Sequence, residues 1–155
     1  GISIEFLTTG QISGTAAINL TGNELGNQLW GNDGANILNG GAGNDVLFGF
    51  GGADTFAFAT ALGAGNVDVV GDFAHGTDKI ALDDAVFAGI GGLGALSASA
   101  FVTGTAAGDA DDRIIFDSAT GNIYFDADGN GAGAQVLFAN VGVGSTLTAS
   151  DFQVI

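Results

Sequence analysis

Between residues 22 and 57 the chain repeats its apolar and polar positions every nine residues. The four units read GNELGNQLW, GNDGANILN, GGAGNDVLF and GFGGADTFA. Glycine opens every unit, and position four is glycine in three of them. Position eight is always apolar, as Leu29, Leu38, Leu47 and Phe56. A flexible glycine linker does not require an apolar residue at a fixed position, so the period predicts a regular structure.

Each unit predicts a tight turn followed by a three-residue strand. Glycine permits the positive φ angles and close backbone contacts of such a turn. In segments such as NIL and VLF, the central residue of the strand would face inward. Turns and strands in succession form a coil with parallel strands about 4.8 Å apart. Because two units complete one coil, Asn27 is expected to lie over Asp45, and Asn36 over Asp54.

The turns of this coil would place oxygen atoms between its successive layers. Position six offers side-chain oxygens and positions two and four offer backbone carbonyls, a set that suits hard cations such as calcium. Asparagine lacks charge, so sites built on Asn27 or Asn36 should bind calcium less tightly. The predicted ligand residues are Asn23, Leu25, Asn27, Asn32, Gly34, Asn36, Gly41, Gly43, Asp45, Phe50, Gly52 and Asp54.

These units resemble the GGxGxDxUx nonapeptides of RTX proteins, a repeat that binds calcium. GGAGNDVLF matches the pattern in full and GFGGADTFA nearly so, whereas the first two units are more degenerate. The resemblance covers only about a quarter of the chain. It implies a parallel β-roll that depends on calcium. Four units predict two sites within the roll and a third at its end, so two to three or more ions are expected.

The segment after the repeats, residues 66–82, resembles the one that follows the repeats in serralysin-type protease tails. In that family, carboxylates here help to complete the last calcium site, which implies such a role for Asp68, Asp72 or Asp78. The alternative is a strand whose alternate residues face solvent, with Lys79 paired to a neighbouring acid.

The remainder of the chain predicts a β-rich cap for the roll. Two apolar strands flank the turn SATG within residues 113–126, and a third strand follows at 134–141, so we expect an antiparallel meander. Short helical turns are expected around 84–87 and within 96–102. The fold class predicted is all-β, a short calcium-binding parallel β-roll capped by an antiparallel sheet or sandwich. The predicted divisions are N-terminal strands or cap at 1–21, the roll at 22–57 and the capping region at 58–155, together one cooperative module.

A second acidic motif, DADGNG at residues 126–131, fits the first half of an EF-hand loop. Position twelve would be Leu137, which cannot supply the carboxylate, and no helices are predicted on either side. Asp and Asn-Gly sequences are also ordinary turn chemistry. Asp126, Asp128 and Asn130 are therefore weaker calcium candidates.

Charge narrows the classes of partner. Among 155 residues, 17 acids face one lysine and one arginine, for a net charge of −15. Nucleic acid and anionic membranes need basic surface, and no apolar run approaches the roughly 20 residues of a membrane span. Crowded carboxylates and 29 glycines oppose folding. Cations would offset that repulsion, although the acids could instead serve only solubility.

Catalysis is not expected within these residues. The chain has one histidine, His75, and no cysteine, which excludes HExxH zinc chemistry and thiol nucleophiles. No G-x-S-x-G elbow occurs, and the paired acids lie in glycine-rich turns. Any catalytic domain would lie upstream.

The ending LTASDFQVI resembles the terminus of proteins exported by type I secretion, and no N-terminal signal peptide is visible. The alternative for this segment is an ordinary edge strand. The resemblance implies a secreted or cell-surface location, with type I secretion machinery and upstream domains of a parent protein as partners. The leading hypothesis is a module that folds when it binds calcium outside the cell. The alternatives are a calcium-dependent adhesion, glycan-binding or self-assembly module, which would self-associate or retain glycan, and an acidic β domain that never binds metal.

Overall fold

The computed structural model describes residues 5–155, which form one eight-stranded and one six-stranded β-sheet and, within that range, no α-helix. The predicted all-β class is confirmed. Two 3₁₀ helices lie at Ala98–Ala100 and Ala149–Asp151. The strands are β1 (Glu5–Thr8), β2 (Asn19–Thr21), β3 (Asn27–Trp30), β4 (Ile37–Asn39), β5 (Val46–Phe48), β6 (Thr55–Phe58), β7 (Asp68–Val70), β8 (Lys79–Leu82), β9 (Gly94–Ala95), β10 (Phe101–Thr103), β11 (Ile114–Asp117), β12 (Asn122–Phe125), β13 (Val136–Asn140) and β14 (Phe152–Val154).

The first eight strands alternate between the two sheets and form a parallel β-roll. Odd-numbered strands pair in the order β1-β3-β5-β7 and even-numbered strands in the order β2-β4-β6-β8, always in parallel. Leu29 pairs with Leu47 and Leu38 with Phe56. Residues eighteen apart therefore stack, as the nine-residue period predicts.

The roll is longer than residues 22–57. Strands β1 and β2 add a layer before the repeats, and β7 and β8 add one after them. There Val46 pairs with Val69 and Thr55 with Lys79, so the layers are 23 and 24 residues apart instead of eighteen. The coil outlasts the sequence period because the longer turns at 59–67 and 71–78 absorb the additional residues.

The position-eight side chains fill the interior of the roll. Leu29, Leu38, Leu47 and Phe56 have no solvent exposure, and Val70 and Ile80 continue their two inward columns. Each such burial stabilises the fold by about 1.5–3 kcal/mol. The same apolar cluster runs on into the C-terminal strands, so roll and cap share one core.

The C-terminal strands extend both sheets of the roll edge to edge. The meander β11-β12-β13 is antiparallel and joins the eight-stranded sheet by parallel pairing of β13 with β7. Strand β14 pairs with β8 on one side and with β9 on the other. It is therefore an interior strand, and the edge-strand interpretation of the C-terminal segment is wrong.

Two local expectations also differ from the structure. Residues 84–87 form a hydrogen-bonded turn, in which the N–H groups of Val86 and Phe87 both donate to the carbonyl of Asp83, and no helix follows. The Lys79 ammonium donates to the carbonyl of Ser150 at 2.7 Å instead of pairing with an acid. The helical turn expected within 96–102 is present as the 3₁₀ helix at Ala98–Ala100.

Candidate metal centre

Six polar side chains form two buried columns, one along each turn edge of the roll. Position six of the repeats supplies two members of each column, and the segment after the repeats supplies the third. None is more than 4% exposed. The columns are Asn27, Asp45 and Asp68 on one edge, and Asn36, Asp54 and Asp78 on the other.

In the first column each carboxylate bonds to the turn of the preceding layer. Asp45 Oδ1 accepts from the backbone N–H of Asn27 at 2.6 Å, and Asp68 Oδ1 accepts from the N–H of Asp45 at 3.1 Å. Asp68 thus takes the place of a position-six residue although it lies outside the sequence period.

The second column repeats this pattern. Asp54 Oδ1 accepts from the N–H of Asn36 at 2.8 Å, and Asp78 Oδ1 accepts from the N–H of Asp54 at 3.0 Å. The structure therefore brings Asp68 and Asp78 to the ends of the two columns, where the sequence resemblance placed carboxylates.

Asp72, the third candidate in that segment, has a different position. Its two carboxylate oxygens accept from the N–H groups of Gly49 and Phe50, at 3.0 and 2.7 Å. Both oxygens hold the first residues of the fourth repeat in place, and Asp72 lies outside the two columns.

The asparagines bond mainly within their own turns. Asn27 Oδ1 accepts from the N–H of Asn23 at 2.8 Å, and Asn36 Oδ1 accepts from the N–H of Asn32 at 2.7 Å. Their amide groups also donate to the side-chain oxygens of the same two residues. These turns are thus hydrogen-bonded without a metal ion.

Each aspartate at position six of the repeats has one carboxylate oxygen without a hydrogen-bond partner. Among the described residues, Asp45 Oδ2 and Asp54 Oδ2 are buried and have no hydrogen-bond partner. A buried carboxylate oxygen without a partner is costly, and a cation between the layers would supply one. Both oxygens lie over a glycine at position one, where a Cβ atom on Gly40 or Gly49 would collide with them.

The pKa values of the column carboxylates also favour a bound cation. Burial raises the pKa of Asp54 to about 6, opposed by its bond from Asn36 and reinforced by the charges of Asp78 and Asp72. Burial likewise raises the pKa of Asp68 to about 7, and it raises the pKa of Asp45 and Asp78. Ionisation of these four carboxylates is thus costlier than in water, and a nearby positive charge would offset that cost.

Backbone carbonyls would have to supply most ligands of an ion in these edges. In residues 5–155 no cluster of three or more His, Cys, Asp or Glu side chains is placed to hold a metal. The turns do stack carbonyl over glycine: a Cβ on Gly52 would lie 2.6 Å from the Gly34 oxygen, and one on Gly43 would lie 2.8 Å from the Leu25 oxygen. Both carbonyls belong to predicted ligand residues, and this oxygen-rich set fits calcium.

The EF-hand-like loop uses its polar groups to build a turn. Asp126 Oδ1 accepts from the N–H of Asp128, and Asp128 Oδ2 accepts from the N–H of Gly133. The N–H of Asn130 donates to the carbonyl of Asp109 at 2.9 Å. Calcium binding by these three residues stays a prediction.

Sequence reasoning missed one polar site. Asp151 is fully buried, pairs with His75 Nδ1 at 2.8 Å and accepts from the N–H groups of Gly76 and Thr148 at 3.0 and 2.7 Å. Burial alone would raise the pKa of Asp151, but these bonds outweigh it and lower the pKa. Only the capping-box sequence TASD hinted at it, because the two partners lie 76 residues apart.

This fold and these edges define a parallel β-roll with the oxygen chemistry of a calcium-binding module. Residues 21–58 match the family model of the RTX calcium-binding nonapeptide repeat, in four copies. The predicted identity of the repeats is confirmed.

Comparison with solved structures extends the likeness over nearly the whole chain. The chain is similar to the solution structure of the AlgE6R3 subunit from the Azotobacter vinelandii mannuronan C5-epimerase, with 25% sequence identity and a TM-score of 0.53. The match covers 98% of this chain and 79% of that one. No curated protein matches the chain. Within the described range, no helix has the length and apolar character to cross a membrane.

Proposed function

We propose that this chain is a calcium-binding RTX module that completes its folding when calcium enters the turn edges of the roll. The observation that carries the proposal is the pair of buried, partnerless oxygens, Asp45 Oδ2 and Asp54 Oδ2. Both lie in the calcium-binding repeats, and both belong to columns of carboxylates whose pKa burial raises.

The number of carboxylates in each pair of turns ranks the expected calcium sites by affinity. Asp45 with Asp68, and Asp54 with Asp78, offer two carboxylates per pair of turns. The layers of Asn27 and Asn36 contribute one carboxylate less, and their amides are already bonded. We therefore expect two stronger ions where the roll joins the cap, and weaker binding towards the N-terminal layers.

Calcium would act as a switch for folding. Extracellular calcium modules typically have Kd values of about 10⁻⁴ to 10⁻³ M, so the sites would stay empty in a cytosol poor in calcium. An ion present at one hundred times its Kd stabilises the folded state by about 2.7 kcal/mol. Two such ions would contribute about 5 kcal/mol, which is comparable to the whole stability of many domains.

Export fits this switch. We propose that the module belongs to a secreted or cell-surface protein, that its C-terminal segment serves type I secretion, and that any catalytic domain lies upstream. Phe152 and Val154 are buried between β8 and β9 in the folded chain. A signal in this segment would therefore be accessible only before folding, which calcium-dependent folding would ensure.

The test is a calcium titration of the chain in chelated buffer, followed by circular dichroism and by the fluorescence of Trp30, the single tryptophan. The wild type should gain β structure cooperatively. Asp45→Asn with Asp54→Asn should move the midpoint to at least about tenfold higher calcium, since each replacement removes a charged ligand.

The matched control removes the same charge from exposed positions, Asp84→Asn with Asp111→Asn, and should titrate like the wild type. A wild-type chain that is fully folded in chelator and does not respond to calcium would overturn the proposal. Equal midpoints for the two double variants would do the same.

A further inference from the structure

Four aromatic rings form a cluster on the outer face of the eight-stranded sheet, which we call the aromatic platform. It comprises Phe6, Trp30, Phe48 and Phe50. Ring centroids lie 4.9 Å apart for Phe6 and Trp30, 5.9 Å for Trp30 with either Phe48 or Phe50, and 6.1 Å for Phe48 and Phe50. Phe6 is 52% exposed and the other three are half-buried.

The repeat places these rings outside the core. Trp30 and Phe48 occupy position nine of their units, next to the inward Leu29 and Leu47, and they pair directly across β3 and β5. The Phe48 ring packs against bare backbone just after β7, where a Cβ on Gly71 would collide with it. The interior is filled without these rings, so their contribution is to the surface.

Phe50 joins the platform in an unfavourable backbone conformation. Its φ is 68°, and no other non-glycine residue in the described range has a positive φ. The same position of the preceding repeat is Gly41, with φ 91°. A bulky residue in this region is a true outlier, and such strain concentrates at functional positions. The bond from its N–H to Asp72 Oδ2 helps to hold Phe50 in this conformation.

The net charge of the chain disfavours one class of ligand for this face. The only lysine donates to the Ser150 carbonyl, and the only arginine, Arg113, donates to the Ala110 and Asp112 carbonyls, so neither is committed to this face. With a net charge of −15, the surface disfavours acidic polymers.

One amide side chain adjoins the platform on the same face of the sheet. Gln28 pairs in register with Phe6 and lies two residues before Trp30 on β3, so it shares the outward face. Asn140, further along the same row, is already bonded to the Thr120 carbonyl and to Asn122 Oδ1. Apolar rings beside an amide suit a molecule that has C–H faces for stacking and hydroxyl groups for hydrogen bonds.

We infer that the aromatic platform binds a neutral oligosaccharide, with sugar faces stacked on the rings and hydroxyl groups on the neighbouring Gln28 amide. A second part concerns Phe50, whose carbonyl is a predicted calcium ligand. Calcium in that turn fixes the Phe50 conformation and thereby completes the platform. This second part rests on the proposed calcium function, whereas the platform itself does not.

The experiment titrates the folded chain, at saturating calcium, with cellohexaose, laminarihexaose and mannohexaose, and with oligogalacturonate as the acidic comparison. Trp30 fluorescence and calorimetry report binding, and circular dichroism reports folding separately. At least one neutral hexasaccharide should bind, and oligogalacturonate should not. Trp30→Ala should lower the association constant about tenfold, since stacked aromatic contacts are of that order.

Phe50→Gly separates binding from folding. Glycine suits the positive φ, so the thermal midpoint should not fall and the calcium midpoint should not rise, while sugar binding weakens about threefold or more. Leu93→Ala, at an apolar position that is 73% exposed, is the matched control and should bind like the wild type.

Several outcomes would overturn the inference. A chain that folds with calcium but binds none of the neutral hexasaccharides at millimolar concentration would refute the platform and leave the calcium proposal intact. A dimer that forms through this face and is lost in Trp30→Ala, without sugar binding, would assign the face to self-association. Undiminished sugar binding in chelator would refute the coupling through Phe50.

Discussion

Acid should stabilise this fold when calcium is absent, because four carboxylates are buried in the turn edges. A group whose pKa is higher in the folded than in the unfolded chain contributes stability at low pH, and this contribution is lost as the pH rises through the folded value. Asp54 rises from 3.8 to about 6 and Asp68 from 3.8 to about 7. The folded, calcium-free chain should therefore lose stability between about pH 4 and pH 7.5.

Asp54 and Asp68 set the size of this pH-dependent loss of stability. Each pKa unit corresponds to about 1.4 kcal/mol, so ionising Asp54 in the folded chain costs about 3 kcal/mol and ionising Asp68 about 4 kcal/mol. Their sum is about 7 kcal/mol, within the total stability of a typical domain. In chelator, we expect a largely unfolded chain at pH 7.5 and a gain of β structure towards pH 5.

The assay is thermal unfolding by circular dichroism from pH 7.5 to 5, in chelator and in saturating calcium. Calcium should reverse the slope, since protons compete with the ion for the same carboxylates. Asp68→Asn should flatten the slope in chelator. Stability that falls steadily from pH 7.5 to 5 in chelator would refute the reasoning, as would an unchanged slope in Asp68→Asn.

Three further substitutions test other parts of the site. Gly40→Ala places a Cβ against Asp45 and should raise the calcium midpoint at least about tenfold. Gly63→Ala, with open space around it, should not, and equal midpoints would contradict the role of Gly40 in leaving room for the Asp45 carboxylate. Asp151→Ala removes the buried carboxylate that accepts from the N–H groups of Gly76 and Thr148, and it should cost about 3 kcal/mol in urea unfolding, against about 1 kcal/mol for the partly exposed His75→Ala. Equal losses would contradict the dominance of the backbone bonds. Asn27→Asp should lower the stability of the chain in chelator, because it adds a buried charge, and should lower the calcium midpoint, because it adds a charged ligand. A variant that is less stable than the wild type both in chelator and in saturating calcium would contradict the place of Asn27 in the column.

The sequence predicted the repeats well because their geometry is local. A period of nine fixes which residue faces inward, and Leu38 and Phe56 occupy those positions with no exposure. The layer after the repeats kept the coil but lost the period, since its turns have different lengths. Only the resemblance pointed to Asp68 and Asp78, and it did not separate them from Asp72, whose role depends on which N–H groups its oxygens reach.

Contacts between distant segments were beyond sequence reasoning. The partnership of His75 with Asp151 crosses from the β7–β8 turn to the segment before β14, and no spacing rule links such positions. The place of β14 inside its sheet likewise depends on β9, a strand of only two residues that carries a glycine. Short glycine-containing segments have little intrinsic strand preference, so tertiary pairing decides their structure.

The order of asparagine and aspartate along the columns gives the module a direction. In the N-terminal layers Asn27 and Asn36 bond within their own turns, so these layers have no buried charge to neutralise. At the junction with the cap, Asp45, Asp54 and their partners combine buried charge with missing ligands. Calcium would therefore be required most where the roll meets the C-terminal strands, which share its apolar core. Because the junction holds the carboxylates that need a cation and shares one apolar core with the cap, we infer that folding starts there and that the N-terminal layers add to it.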